Sequence, residues 1–177
     1  MKIPRIEVIR DLPGMIIVVA GLILMATCSD ANKDSSKFLS QAMQDGVAEI
    51  QVCQLALKQS QNPDVRSFAQ RMIQDHTNAD NEISQLATKK GINLETSPSA
   101  KQKLTYDALA QLSGAAFDKE FMSHNVSDHT EDIKDFQEQS QSGTDADVKS
   151  LAAKTLSMLQ THLQLSNQVK DKVKGSS

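Results

Sequence analysis

The sequence has 177 residues, a formal net charge of -3 at pH 7 and only 3% aromatic residues, with no Trp and a single Tyr. This length suits one domain plus a targeting segment, and the scarcity of aromatics requires a core built from aliphatic side chains. The composition argues against nucleic-acid binding, because there is no basic patch interleaved with aromatics that would contact phosphates and stack on bases.

The N-terminal segment has the features of a secretory signal peptide. Basic residues at positions 2, 5 and 10 precede an apolar run from Met15 to Ala26. The run is shorter than the roughly 20 apolar residues that a membrane-spanning helix needs, and it is typical of the apolar region of a signal peptide. We therefore predict that residues 1–27 are a lipoprotein-type signal peptide and that the domain lies outside the cytoplasm.

The apolar run ends in Leu-Met-Ala-Thr-Cys-Ser, which resembles the lipobox of bacterial lipoproteins. Lipoproteins of this type are acylated on the cysteine, so we predict a lipid on Cys28 that attaches the chain to the membrane. Ser29, rather than an Asp, follows the cysteine, which favours the outer membrane and a periplasm-facing domain. Cleaved soluble export and an uncleaved anchor are the alternatives.

Two helices follow in the next part of the chain. Residues 28–35 are small and polar, so we predict a flexible tether there. A first helix starts at about Ser36 and ends at Asn62, where Pro63 opens a second, antiparallel helix that ends at Gly91. Within the first helix, the glycine at position 46 costs about 1 kcal/mol relative to Ala, a cost that close approach of another helix would offset.

Three further helices complete the predicted domain. The pattern predicts a short helix over residues 99–112, a long third helix over 115–141 and a last helix from about 144 to 170, with a frayed tail at 171–177. No strand-like alternation is present. We therefore predict an all-α domain at residues 36–170, with four principal helices and a short extra helix in the connection between the second and third.

Each principal helix carries an ionisable residue on its apolar stripe, and these residues are Glu49, His76, His129 and His162. Glu49 and His76 are nearly equidistant from Asn62, so they lie within ~2 Å of the same height across a short antiparallel turn. Counted from Gly143 in the same way, His129 and His162 differ in height along the helices by about 7 Å. The counting predicts a polar cluster halfway along the helices, with His162 as its least well aligned member.

Neutral imidazole and carboxylate groups are the usual ligands of Zn, Cu, Fe or Mn. We therefore predict that these four residues bind one transition metal ion, with Asp80 and Asp118 as supporting residues on the faces of His76 and His129. Asp118 lies about 16 Å from His129 along the helix axis, so it is predicted to be a structural partner and not a ligand. The competing interpretation is a buried hydrogen-bond network that only fixes helix register. His124 and Asp75 are predicted to face solvent, and Cys53 is predicted to be a small buried apolar residue.

Three segments carry a resemblance to a known family, namely FAQRMIQDHTNADNEISQLATKKGI, SGAAFDKEFM and LAAKTLSMLQTHLQL. They resemble a family of exported bacterial proteins of unknown function, often labelled predicted outer membrane proteins and grouped with the ferritin-like four-helix bundles. The resemblance covers residues 36–166, with Ser157 standing where the family has Pro. It implies a ferritin-like bundle in which residues 92–114 cross over, so that the third principal helix runs parallel to the second.

Ferritin di-iron sites place a Glu three residues before each ligand His. Here those positions hold Ile73, Val126 and Leu159, so a single His-rich metal site is favoured over a di-iron centre. The functional hypotheses are a lipid-anchored metal-binding bundle, active in metal handling or envelope stress tolerance, and a structural or interaction module without metal. An enzyme is disfavoured, since no nucleophile motif, phosphate-binding loop or acid pair is present. The protein partner and the metal are not identified by the sequence.

Overall fold

A computed structural model describes the backbone of residues 14–175 and the side chains of residues 32–175. The described residues form five helices: α1 (Gly14–Gln59), α2 (Pro63–Lys90), α3 (Ala100–Ala110), α4 (Gly114–Ser142) and α5 (Ala146–Gly175). None of these residues lies in a strand, so the prediction of an all-α chain is confirmed. Within the same range, no helix is long and apolar enough to cross a membrane.

The local signals that delimit α2 work as predicted. The Asn62 side chain accepts hydrogen bonds from the backbone N–H groups of Asp64 and Val65, and Pro63 occupies the first turn, where its missing N–H costs nothing. At the other end Gly91 adopts φ 66°, the left-handed conformation that ends a helix with least strain for glycine. The short connection between α1 and α2 makes them antiparallel neighbours.

The structure differs from the prediction at both ends of the domain. The predicted tether at residues 28–35 is wrong, because α1 runs through it without interruption and Ser35 is 1% exposed. No Gly or Pro interrupts the chain between Gly21 and Gly46, so nothing stops a helix that packing has already nucleated. The predicted fraying of 171–177 is also wrong up to Gly175, because Val173 is buried in the apolar core. Residues 1–13 of the predicted signal peptide and the Cys28 side chain lie outside the described part.

The four long helices pack side by side. α1 lies along α2 and α4 lies along α5, while α2 contacts α5 and α1 contacts α4. The short α3 packs on α1 and α4. Its start is fixed by a capping box in which Ser99 and Gln102 exchange side-chain-to-backbone hydrogen bonds.

Two apolar clusters fill the interior, one at each end of the long helices. The first cluster includes Met72, Phe117 and Phe121, and the second includes Leu39 and Val148. Along α2 and along α4 the chain passes from the first cluster to the second, so α4 runs parallel to α2, as predicted. On every long helix the predicted polar residue lies between the two clusters, so a polar layer separates them.

Gly46 of α1 leaves room for a side chain of α2. A Cβ at Gly46 would collide with the carboxylate of Asp80 on α2. The absence of a side chain therefore offsets the helix-propensity cost of glycine, as the sequence predicted. It also leaves space for the Asp80 carboxylate beside the polar layer.

Candidate metal centre

The four predicted residues meet in the polar layer, one from each long helix. Glu49 Oε2 lies 2.9 Å from His76 Nδ1, and Glu49 Oε1 lies 3.4 Å from His129 Nε2. The ring of His162 is centred 5.1 Å from that of His76 and 5.4 Å from that of His129. All four residues are at most 5% exposed. Their convergence is therefore observed, and their role as metal ligands remains a prediction.

One ring nitrogen of each imidazole forms a hydrogen bond with a neighbouring residue. His129 Nδ1 donates to the backbone carbonyl of Asn125 at 2.9 Å, and His162 Nε2 donates to Asp75 at 2.9 Å. His76 Nδ1 donates to Glu49 Oε2 at 2.9 Å. The opposite nitrogens, His76 Nε2, His129 Nε2 and His162 Nδ1, are buried and have no hydrogen-bond partner. Metal-binding histidines have this arrangement, with one nitrogen oriented by a carboxylate or carbonyl and the other left for the ion.

Burial keeps these histidines neutral. Desolvation lowers the pKa of His76 to about 4 and that of His162 to about 4. It lowers the pKa of His129 to about 3, helped by the two neighbouring histidines. The imidazoles are therefore uncharged at neutral pH, which is the form that binds a metal ion.

The geometry of the three histidines fits a transition metal ion. Each offers one nitrogen, and the three nitrogens lie within 4.8 Å of one another. In a tetrahedral site with bonds of about 2.0–2.1 Å, ligand nitrogens are about 3.3 Å apart, so each side chain moves by less than about 1 Å to reach this geometry. Glu49 Oε1 lacks a hydrogen-bond partner and lies 3.4 Å from His129 Nε2, so a carboxylate oxygen is available beside this group as the predicted fourth ligand.

Sequence reasoning missed Asp132, which completes a second group. Glu49, His129 and Asp132 also offer ligand atoms within 4.8 Å of one another. Asp132 is 8% exposed, its Oδ2 has no partner, and burial followed by the charge of Glu49 raises its pKa well above the ordinary value. Its position one turn after His129 could have revealed it, since the same argument was applied to Asp80 after His76.

A small cavity of about 20 Å³ adjoins the cluster and is lined by Glu49, His76, Asp80 and Asp132, among others. This volume holds about one water molecule or one ion. Burial raises the pKa of Asp80 to about 6, and its Oδ1 has no partner. Asp80 therefore lies where a supporting residue was predicted.

Other predicted positions need correction. Asp75 was predicted to be an exposed charge, yet it accepts the hydrogen bond from His162 and is held in turn by Arg71 at 3.1 Å. Asp118 lies three turns from His129 on α4, about 16 Å along the axis, so it does not support the cluster. It is 5% exposed and follows Phe117, a member of the first apolar cluster, along α4.

The two remaining residues of interest stay apart from the centre. His124 is partly exposed and lies 3.8 Å from Asp128. Cys53 is 1% exposed within the first apolar cluster, as predicted for a small buried residue.

Comparison with known proteins gives a family and two structural relatives. The profile of a family described as "Domain of unknown function (DUF4142)" matches residues 24–169. A crystal structure of a DUF305 fragment from Deinococcus radiodurans superposes with a TM-score of 0.71 at 13% identity, over 78% of this chain and 96% of that one. A crystal structure of a conserved hypothetical protein from Mycobacterium tuberculosis superposes with a TM-score of 0.64 at 15% identity, over 80% of this chain and 93% of that one.

At these identities the two crystal structures establish a shared helical fold and nothing more. No curated protein matches the chain. The predicted membership of a helical family of unknown function is thus confirmed, while the ferritin-like and outer-membrane descriptions stay predictions.

Proposed function

Because the chain belongs to the DUF4142 family, whose function is unknown, we propose a function from its geometry: it is an envelope protein that holds one transition metal ion. His76, His129 and His162 would be the ligands, with Glu49 as the fourth. One observation carries the proposal, namely three buried imidazoles on three helices, each with one unpartnered ring nitrogen and each offering a nitrogen within 4.8 Å of the other two.

The contact between His129 and Glu49 supports a cation in this place. The Nδ1 proton of His129 is committed to Asn125, so Nε2 presents a lone pair to Glu49 Oε1 at 3.4 Å. Two lone pairs repel unless a proton or a metal ion lies between them. Unsatisfied buried polar atoms cost about 1–3 kcal/mol each, and an ion bound by all of them would remove that cost at once.

The donor set favours a borderline divalent ion such as Zn, Cu, Fe or Mn. Nitrogen ligands dominate, and the Cys53 thiol packs in the first apolar cluster. The positions that would hold the additional carboxylates of a di-iron centre are Ile73, Val126 and Leu159. We therefore propose a mononuclear site whose bound ion is kept from bulk solvent, which suits metal handling or envelope stress tolerance better than turnover of a substrate.

We further propose that the four long helices form a ferritin-like four-helix bundle, with α3 in the crossover between α2 and α4. Two features support this assignment. The pairs α1–α2 and α4–α5 pack along each other, and α4 runs parallel to α2, as a crossover requires.

Metal analysis tests the proposed function. Incubation of the full chain with Zn²⁺, followed by removal of free ion, should leave about one equivalent bound to the wild type and a small fraction of that to His76→Ala. His124→Ala is the matched control, because it removes a histidine outside the cluster and should keep the full equivalent. Loss of the metal in both variants, or in neither, would contradict the assignment.

The alternative function is a structural or interaction module without metal. The bonds from His76 to Glu49 and from His162 to Asp75 favour it, because they tie α1 to α2 and α2 to α5 without an ion. A network of this kind predicts that Zn²⁺ leaves the stability of the wild type unchanged.

We also propose that the chain is exported and attached to the outer membrane by a lipid on Cys28. The apolar run that ends at this cysteine supports the proposal. In cells, Cys28→Ser should abolish incorporation of labelled fatty acid and move the protein out of the membrane fraction, whereas Cys53→Ser should change neither. Fatty-acid labelling of Cys28→Ser at the wild-type level would exclude this anchor.

A further inference from the structure

An acidic pocket lies beside the centre, beneath α3. Its volume is about 220 Å³, and its lining includes five carboxylates: Asp45, Asp128, Glu131, Asp132 and Asp135. Among its lining residues, Lys101 is the single lysine, and its 85% exposed side chain lies 3.8 Å from Glu131. The pocket therefore has a negative potential that concentrates cations.

The acidic pocket is adjacent to the inner cavity. Asp45 and Asp132 line both the pocket and the cavity of about 20 Å³ next to Glu49 and His76. Gln102 of α3 and Gln41 of α1 each donate a hydrogen bond to Asp45, at 2.6 and 2.9 Å. Asp132 differs from Asp45 in having a buried oxygen, Oδ2, without a hydrogen-bond partner. Asp132 can therefore contact a cation in the acidic pocket or in the inner cavity.

A second groove exists on the opposite side, between α2 and α5. Its volume of about 380 Å³ is larger, but its charges are paired: Arg71 with Asp75 at 3.1 Å, and Lys154 with Glu82 at 2.6 Å. Two positive and two negative groups leave it close to neutral. A divalent cation is therefore attracted to the acidic pocket and not to the larger groove.

We propose that a divalent cation enters through the acidic pocket and first binds an outer position formed by Glu49, His129 and Asp132, from which it passes to the three histidines. The inference rests on the proposed metal function. The outer and inner positions share Glu49 and His129. Because the Nδ1 of His129 is committed to Asn125, its single remaining nitrogen can bind an ion in one position at a time. The outer position has two carboxylates and one imidazole, and the inner one is rich in nitrogen, so transition metals favour the inner position.

The route is tested by the kinetics of Co²⁺ binding to the full chain, followed by the visible absorption of the bound ion. Asp132→Asn, which removes a ligand of the outer position, should lower the association rate constant about tenfold, while about one Co²⁺ still binds at saturation. Neutralising Asp128, Glu131 and Asp135 together should flatten the dependence of that rate on ionic strength. Glu82→Gln, in the opposite groove, is the control and should leave both properties unchanged.

The outer position is tested separately in a His162→Ala background, which removes a ligand of the inner position alone. This variant should still bind Co²⁺, at least about tenfold more weakly than the wild type, and adding Asp132→Asn should abolish that residual binding. Wild-type rates in the acidic-pocket variants, or an equal slowing by Glu82→Gln, would overturn the route while the metal function stands. Failure of the wild type to bind Co²⁺ or Zn²⁺ would overturn both.

Discussion

Saturating Zn²⁺ should raise the thermal unfolding midpoint of the wild-type protein by about 5–10 °C, and His129→Ala should eliminate this rise. A ligand at 100 times its dissociation constant adds about 2.7 kcal/mol to the free energy of unfolding. For a chain of this length, each kcal/mol moves the midpoint by about 2–4 °C. His129 has the central place in the prediction because it belongs to both groups of candidate ligands.

Calorimetry with and without Zn²⁺ measures this effect for each variant against its own metal-free midpoint. That comparison matters because His129→Ala also leaves a cavity and a free backbone carbonyl at Asn125, which lower the stability of the variant regardless of metal. His124→Ala should show the full rise. A rise of wild-type size in His129→Ala would mean that Zn²⁺ binds elsewhere, and no rise in the wild type would favour the structural module.

The pH dependence of stability should change sign when the metal binds. In the metal-free protein, burial raises the pKa of Glu49 well above its value of 4.5 in an unfolded chain, and the negative charges of Asp128, Asp45 and Asp80 raise it further. Asp132 is shifted in the same direction. The folded protein therefore keeps protons that the unfolded chain releases. Above about pH 7, where the histidines no longer contribute, the free energy of unfolding therefore falls as pH rises, by up to about 1.4 kcal/mol per pH unit for each such carboxyl.

The histidines do not disturb this window. Their pKa values in the folded protein are about 3 to 4, and the value in an unfolded chain is 6.5, so their contribution is confined to lower pH. Asp45 and Asp80, whose pKa values are raised by burial to about 6, are also largely ionised by pH 7. With Zn²⁺ bound, the sign reverses, because the ion displaces the proton of Glu49 and binds more tightly as pH rises.

Urea unfolding at several pH values, with a chelator or with Zn²⁺, measures the two slopes. In the metal-free protein, Glu49→Gln should make the free energy of unfolding fall less steeply with pH, and it should also reduce the stabilisation by Zn²⁺. Glu120→Gln, at an exposed position of α4, should change neither quantity. Equal slopes for the wild type and Glu49→Gln would show that Glu49 is ionised in the folded metal-free protein, against its burial.

The sequence by itself determined the helix ends inside the domain and four residues of the polar layer, Glu49, His76, His129 and His162, but not Asp132. Helix ends depend on residues within a few positions of each other, so Asn62, Pro63 and Gly91 could be interpreted without knowledge of the rest of the chain. The rise per residue is constant, so counting from the turns placed Glu49 and His76 at one height. Periodicity placed His129 and His162 on inward faces for the same local reason.

The tertiary structure decided what those residues contact. Counting from Gly143 gave His162 an offset of about 7 Å, but the turn is centred at Thr144, which reduces the offset to about 4.5 Å, and side-chain reach covers the remainder. How the helices are rotated and which faces meet decides which residues bond the histidine nitrogens. The same rotation sets the roles of Asp75 and Asp132 and forms the acidic pocket. Helical order spreads along the chain through local hydrogen bonds, whereas burial, pKa shifts and metal geometry arise between helices, where sequence separation carries no information about distance.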